Sequence, residues 1–429
     1  MTRMKDSGIE WIGEVPEEWG LKPIKYLVST PVTDGPHETP TLYDDGIPFL
    51  SAESVKNGIL DSRYKRGYIS ETAHKIFSRK VSPQKNDIFI VKSGATTGNV
   101  GIVTTDEVFD IWSPLALVRT RSDLANQKFI YYFMLSDAFT KQIQNKWSFG
   151  TQQNIGMGVI EKIKLVVPPL DEQTQIANFL DKKVAQLDSV KSLLEEQVKT
   201  LEDYRQSLIY ETVTKGLDKT VPLKDSGVDW IGQIPEGWNV DRLGFHIYEI
   251  NEKNIPQKSD FILSLTNKDG VIPYEDKGNQ GNNSKDNLLD YKLAYPDTIV
   301  ANSMNILIGS VGYSNYFGCI SPVYYVFKER KGTNLRFVNY IMATQLFQKE
   351  LRKYANGILE IRLRVSSEDI LKRFCAFPSL SDQDKIVSYL DKRINQINQM
   401  IAIKKEQIEN INKQRQTLIY DYVTGKRRV

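Results

Sequence analysis

The chain holds 429 residues, 40% hydrophobic and 25% charged, a balance that excludes a disordered or collagen-like polypeptide and predicts two to four domains at about 100–200 residues each. Its 56 basic and 53 acidic residues leave a net charge of +3, too even to argue for nucleic acid by itself. Two cysteines, Cys319 and Cys375, and three scattered histidines, His37, His74 and His246, give neither a disulfide framework nor a structural zinc site, so a reduced, cytoplasmic protein with no secretory signal and no membrane span is expected.

The first segment, MKDSGIEWIGEVPEEW (4–19), returns as LKDSGVDWIGQIPEGW (223–238), with ten of sixteen positions identical at an offset of 219. QIANFLDKKVAQLDSV (175–190) returns as KIVSYLDKRINQINQM (385–400), and YRQSLIYETVT (204–214) as QRQTLIYDYVT (414–424), both at an offset of 210. A duplicated architecture follows, with matched ends around divergent middles.

Residues 20–165 mix strand-like runs (IPFL 47–50, DIFIV 87–91, LALV 115–118) with one helix-like stretch, QKFIYYFMLSDAFTKQI (127–143). The second half repeats that order with FILSL (261–265), TIVAN (298–302), VYYVF (323–327) and RFVNYIMATQLFQKELRK (336–353). Both read as α/β or α+β modules.

Between Pro169 and Pro222 lies an uninterrupted helical pattern, with Asp171 offered as its N-cap and Gly216 as its stop. Leu180, Leu187, Leu194, Leu201 and Leu208 recur every seven residues, with Val190 and Tyr204 read as the intervening seam positions. Its copy starts at Ser381, with Asp384 in capping-box position, and runs through Leu390, Ile397, Lys404, Ile411 and Leu418 to a stop near Gly425. Each helix of about 42 residues would span roughly 63 Å. The expected arrangement is an antiparallel two-helix coiled coil with pseudo-two-fold symmetry, acting as a ruler between two globular readers. The expected domains are 1–167 and 218–378, each followed by a long helix, 168–217 and 379–429.

Several loops suit DNA. In KSGATTG (92–98), Lys92, Ser93, Thr96 and Thr97 place a cation and hydroxyls after a strand, as phosphate contact needs, although a simple hairpin turn explains the same residues. KWSFGTQQN (146–154) offers Lys146 with Gln152, Gln153 and Asn154, amides able to pair with an adenine edge, or else a polar loop. His37 and Thr39 lie in the turn-rich DGPHETP (34–40). The second half offers Asn302, Ser303 and Asn305, then Arg352, Lys353, Arg362 and Arg364, the last two on one strand face by alternation or on a merely solvated one. No GxGxxG, GxxxxGK[ST] or HExxH occurs, nor an Asn/Asp-Pro-Pro-aromatic tetrapeptide, and Glu275-Asp276-Lys277 is only faintly nuclease-like, so no catalytic or metal-binding residue is assigned.

With these residues in view, the whole chain resembles the specificity subunit of type I restriction–modification systems. The resemblance rests on the two KDSG…W segments, on PPLDEQTQIANFLDKKVAQLD with YRQSLIYETVT, on SLSDQDKIVSYLDKRINQI with RQTLIYDYVTGK, and on GIPFLSAESVKNG with KSGATTGNVG. It implies that each globular domain reads one half of a bipartite double-stranded DNA target, and that the helices set the spacer and dock the methyltransferase subunits. Two such subunits would use S-adenosylmethionine to methylate adenine N6, and two motor-nuclease subunits would use ATP with Mg; this chain would bind no cofactor and catalyse nothing. The family-like Pro168-Pro169-Leu170 is Pro378-Ser379-Leu380 in the second copy, and Asn302-Ser303-Met304-Asn305 stands where the first has Lys92-Ser93-Gly94. A coiled-coil scaffold that binds protein partners without reading DNA is the alternative.

Overall fold

The computed structural model describes residues 3–146, 148–149, 153–266, 269–278, 287–356 and 363–429. The chain forms two compact units, residues 1–194 with 406–429, and residues 195–405. Two helices run through both: a central helix, Leu170–Lys215, and a C-terminal helix, Leu380–Val423. At 46 and 44 residues they are about 69 and 66 Å long. No helix among the described residues is long and apolar enough to cross a membrane.

In the first unit a six-stranded sheet has the order Thr33–Asp34, Leu115–Val118, Ile88–Val91, Val100–Ile102, Ile59–Leu60, Val55–Lys56. A three-stranded sheet (Asp110–Ile111, Ile47–Leu50, Gly67–Ile69) stands beside it. The run 127–143 is not one helix but two, Gln127–Leu135 and Asp137–Gln144, because buried Ser136 leaves helical geometry and its hydroxyl donates to Phe133 O at 2.6 Å. In the second unit a four-stranded sheet has the order Ile247–Ile250, Tyr324–Glu329, Thr298–Asn302, Val311–Ser314. There too the expected single helix divides, into Leu335–Met342 and Gln345–Arg352, with the Thr344 hydroxyl capping the second at Phe347 N.

The middles diverge in sequence, yet both units anchor their first short helix on a long helix with equivalent side chains. Gln173 accepts from Asn126 N and donates to Pro168 O; Gln383 accepts from Asn334 N and donates to Pro378 O. Tyr132 donates to Asp181 at 2.8 Å while Lys128 pairs with the same carboxylate; Tyr340 and Arg336 do likewise on Asp391, at 2.5 and 3.0 Å. Burial, reinforced by the neighbouring carboxylate, pushes both phenols well above the ordinary tyrosine range. These anchors hold each globular part rigidly to its helix, because a buried hydroxyl or amide that loses its partner costs about 1–3 kcal/mol.

The two KDSG…W segments take equivalent tyrosine hydrogen bonds from different helices. In the second unit Tyr210 of the central helix donates to Trp230 O and Ile231 O. In the first, Tyr420 of the C-terminal helix donates to Trp11 O and Ile12 O, so the end of the chain completes the unit that its beginning starts. The tail tightens this closure: Lys426 donates to Glu14 O, and Arg428 pairs with Glu18 and Glu172 at 2.6 and 2.9 Å.

The helices pair antiparallel within each unit. In the first, Phe179 stacks near Tyr422 and Asp188 pairs with Arg415; in the second, Gln197 accepts from Lys404 and Asn398 from Arg205. The seam is a coiled-coil repeat, but its intervening positions fall four residues after each leucine rather than three. Leu180, Leu187, Leu194, Leu201 and Leu208 alternate with Val184, Lys191, Val198, Arg205 and Thr212, all buried or half-buried. Leu390, Ile397, Lys404, Ile411 and Leu418 likewise alternate with Ile394, Ile401, Ile408, Arg415 and Tyr422. Val190 and Tyr204, expected in the seam, are 47% and 54% exposed. Val198→Ser is therefore expected to cost about 1–2 kcal/mol in urea unfolding, whereas Val190→Ser should stay within about 0.5 kcal/mol. The helix starts also shift. The central helix begins at Leu170 with Asp171 inside its first turn, and the C-terminal helix begins at Leu380, where Ser379 accepts from Asp382 N and donates to Asp382 Oδ2.

Candidate nucleic-acid interface

Strand register brings the first unit's loops to one end of its six-stranded sheet. Val91 pairs with Leu115 and Asp34 with Ala116, so residues 35–37, 92–98 and 112–114 leave the sheet together. Lys92 N donates to Pro114 O at 2.8 Å, Ser113 N to Pro36 O at 3.2 Å and Ile155 N to Lys92 O at 2.7 Å. The last bond, with a bridge between Ser93 and Asn154, ties the 153–155 segment to the same rim. His37, Lys92, Ser93, Gln153 and Asn154 are thus gathered from three stretches that the sequence keeps more than fifty residues apart.

Their states differ. Thr96 and Asn154 are exposed on the rim, and Thr39 is exposed in the 35–46 loop. Thr97 is buried, and its hydroxyl donates to Gly94 O at 2.6 Å, which fixes the turn. Lys146 is exposed two residues before Ser148–Phe149, the strand that pairs with Gln153–Asn154. Gln152 lies outside the described residues.

The Lys92 ammonium does not stand out in solvent. Its side chain is 13% exposed, with Nζ 2.9 Å from Oδ2 of Asp34, whose side chain is 1% exposed. Lys80 Nζ donates to Asp34 Oδ1 at 2.7 Å and to Gly35 O at 3.0 Å, and His37 Nε2 lies 3.1 Å from Oδ2. Burial pushes the Asp34 carboxyl up, but the ammonium groups of Lys80 and Lys92 outweigh it and hold the group below its ordinary value. Beside it the Arg66 guanidinium stacks 4.4 Å over the Trp112 ring. Gly35 is required for this packing, since a Cβ there would meet Ile111 O at 2.2 Å. Asp34, Lys80, Arg66 and Trp112 carry no local sequence signal, because each acquires its role only from partners distant in the chain.

In the second unit the equivalent turn joins Thr298–Asn302 to Val311–Ser314. Ser303 takes the place of Lys92: its N donates to Val323 O and its carbonyl accepts from Val365 N. Asn302 and Ser303 are buried, and Asn302 caps the turn by accepting from Met304 N at 3.0 Å, while Asn305 is exposed. Val365 draws the neighbouring Arg364, exposed and bridged through its backbone to Asn356, toward the same end. Arg352 and Lys353 are exposed at the end of their helix, with Lys353 paired to Glu350 at 2.6 Å; Arg362 lies outside the described residues. Both units therefore present loops at one sheet end, the first with a clustered basic group and the second with neutral amides and scattered arginines. Among the described residues no group of three or more His, Cys, Asp or Glu side chains could hold a metal ion.

Each of the two α/β units thus carries a loop-built polar rim and is anchored on long paired helices. Residues 31–200 match the family model described as Type I restriction modification DNA specificity domain. The chain is 24% identical to the type I restriction enzyme MjaVIII specificity subunit of Methanocaldococcus jannaschii, over 97% of this chain and 94% of that protein. It is 27% identical to the EcoKI specificity subunit of Escherichia coli K12, over 46% of this chain and 43% of that one. In fold it is similar to a chain from a solved type I R-M system, with a TM-score of 0.68 at 15% identity, covering 96% of this chain and 99% of that one. The comparisons agree with the resemblance read from the sequence: over nearly its whole length the chain is similar to type I restriction enzyme specificity subunits.

Proposed function

We propose that this protein is the DNA-recognition and scaffolding subunit of a type I restriction–modification enzyme, each unit reading one half of a bipartite target. The observation that carries the reading is the convergence of His37, Lys92, Ser93, Gln153 and Asn154 at one sheet end, within the residues that match the specificity domain. Cations there fix register on the phosphates, and neighbouring amides and hydroxyls meet base edges.

The paired helices would set the distance between half-sites, since reaching a misplaced half-site requires bending DNA at a cost of about 1–6 kcal/mol. The same helices would dock two methyltransferase subunits, which carry S-adenosylmethionine and flip the target adenine, and two motor-nuclease subunits that use ATP with Mg. The chain itself would be non-catalytic and would work in the cytoplasm.

Domain exchange tests this. Replacing residues 20–165 with the matching region of another specificity subunit, in a chain co-expressed with its methyltransferase, is expected to change one half-site while the other half and the spacer persist. An unchanged motif would leave the first unit as a protein-binding scaffold.

A further inference from the structure

We infer that Asp34 is a positioning residue of the first unit's DNA-contacting rim, setting how much positive charge Lys80 and Lys92 present to a phosphate. The inference rests on the DNA reading proposed above and assigns the regulation of that site to one buried carboxylate.

Lys80 reaches Asp34 from the turn after the helix Glu71–Phe77, and Lys92 reaches it from the end of the strand Ile88–Val91. One ammonium would suffice to neutralise a buried carboxylate; two converge, so the cluster keeps one net positive charge. The two are held differently. Lys80 donates in line to Oδ1 and to a backbone carbonyl. Lys92 sits 2.9 Å from Oδ2 without hydrogen-bond alignment, as that oxygen has no aligned donor. Lys92 is thus an ion-paired cation at a fixed point, on the same carboxylate oxygen as the 69%-exposed imidazole of His37 and at the start of the loop that carries exposed Thr96. A purely structural pair has no need of a surplus cation, nor of a place where three loops leave a sheet. The low folded-state value of the Asp34 carboxyl keeps that group charged at neutral pH.

The arrangement makes a quantitative prediction about salt. Each ammonium that becomes available to a phosphate steepens the logarithmic salt slope by about 0.9 and raises non-specific affinity about 5-fold at 0.15 M salt. Non-specific binding of the full chain to a random-sequence duplex would be titrated between about 50 and 200 mM salt. Asp34→Asn is expected to give the steepest slope and a non-specific affinity at least several-fold above wild type, with a smaller ratio of target to random binding. Lys80→Met is expected to give the shallowest slope, and Asp34→Asn combined with Lys80→Met to return to the wild-type slope. If Asp34→Asn alone does not fold, comparing Lys80→Met with the double variant reads the same single-charge step.

Equal slopes across the series, or an equal loss of target and random binding, would overturn the inference and leave Asp34 a structural ion pair. If residues 20–165 exchange the half-site while the slopes stay equal, the Asp34 role fails and the DNA reading stands. If the half-site does not follow the exchange, both fail.

Discussion

Trp19→Ala is expected to lower the stability of the first unit by about 3–5 kcal/mol, among the largest effects of any single substitution in the chain. Trp19 is fully buried in a core that also holds Ile12, Val15, Ile176, Leu180, Ile419 and Val423, so it joins the start of the chain to both long helices. Its indole donates to Glu172 Oε2 at 3.0 Å, and Glu172 in turn holds Arg428 of the tail. Truncation leaves a cavity and also strips one partner from that carboxylate. Trp238, its counterpart, is 8% exposed in the second unit, and Trp238→Ala is expected to destabilise that unit instead. Hydrogen exchange on the full chain checks this: protection should fall in residues 3–194 and 406–429 for Trp19→Ala, and in 195–405 for Trp238→Ala.

Gly425→Ala is expected to cost about 2–4 kcal/mol, clearly more than Gly216→Ala at the equivalent helix end. Both glycines end their helices in left-handed geometry, with φ of +74° and +70°. That conformation alone costs an alanine about 1–2 kcal/mol. The difference lies in what a Cβ would meet. At Gly425 it would strike Pro16 Cδ at 2.4 Å and Cγ at 2.6 Å, with Trp19 at 3.0 Å; at Gly216 the nearest atom is a Trp238 ring carbon at 3.1 Å. Pro16 is held rigid by its pairing with Met4, so the overlap must be relieved by moving the C-terminal helix end away from the N-terminal segment. Thermal melts of the two variants should rank in that order. Equal shifts would mean that the closure of the chain ends is looser than the contacts indicate.

The duplication, the two helices and their leucine rows were legible because repeats and heptads are local patterns. The intervening seam positions were misread because Val190 and Tyr204 are apolar, while the residues that occupy the seam include Lys191 and Arg205. Long charged side chains lay their stems along the interface and carry their ends outward, as the Arg205–Asn398 bond shows. The breaks at Ser136 and Thr344 were hidden inside continuous apolar periodicity, where a single hydroxyl decides the backbone. The rim was half legible. The polarity of 92–98 and 146–154 marked loops suited to phosphate, but nothing in TDGPHE foretells that Asp34 collects lysines 46 and 58 positions away. The anchoring glutamines Gln173 and Gln383 stand two residues before the repeated segments 175–190 and 385–400, yet their partners Asn126 and Asn334 lie in the diverged middles. Only tertiary packing brings such pairs together.

The most direct test of the central claim is to map N6-methyladenine by single-molecule sequencing in cells that co-express this chain with its methyltransferase subunit. A two-part motif with a fixed spacer is expected, with one half abolished when residues 20–165 are exchanged. Methylation at a single-part motif, or the same motif after the exchange, would contradict the assignment of one half-site to each unit.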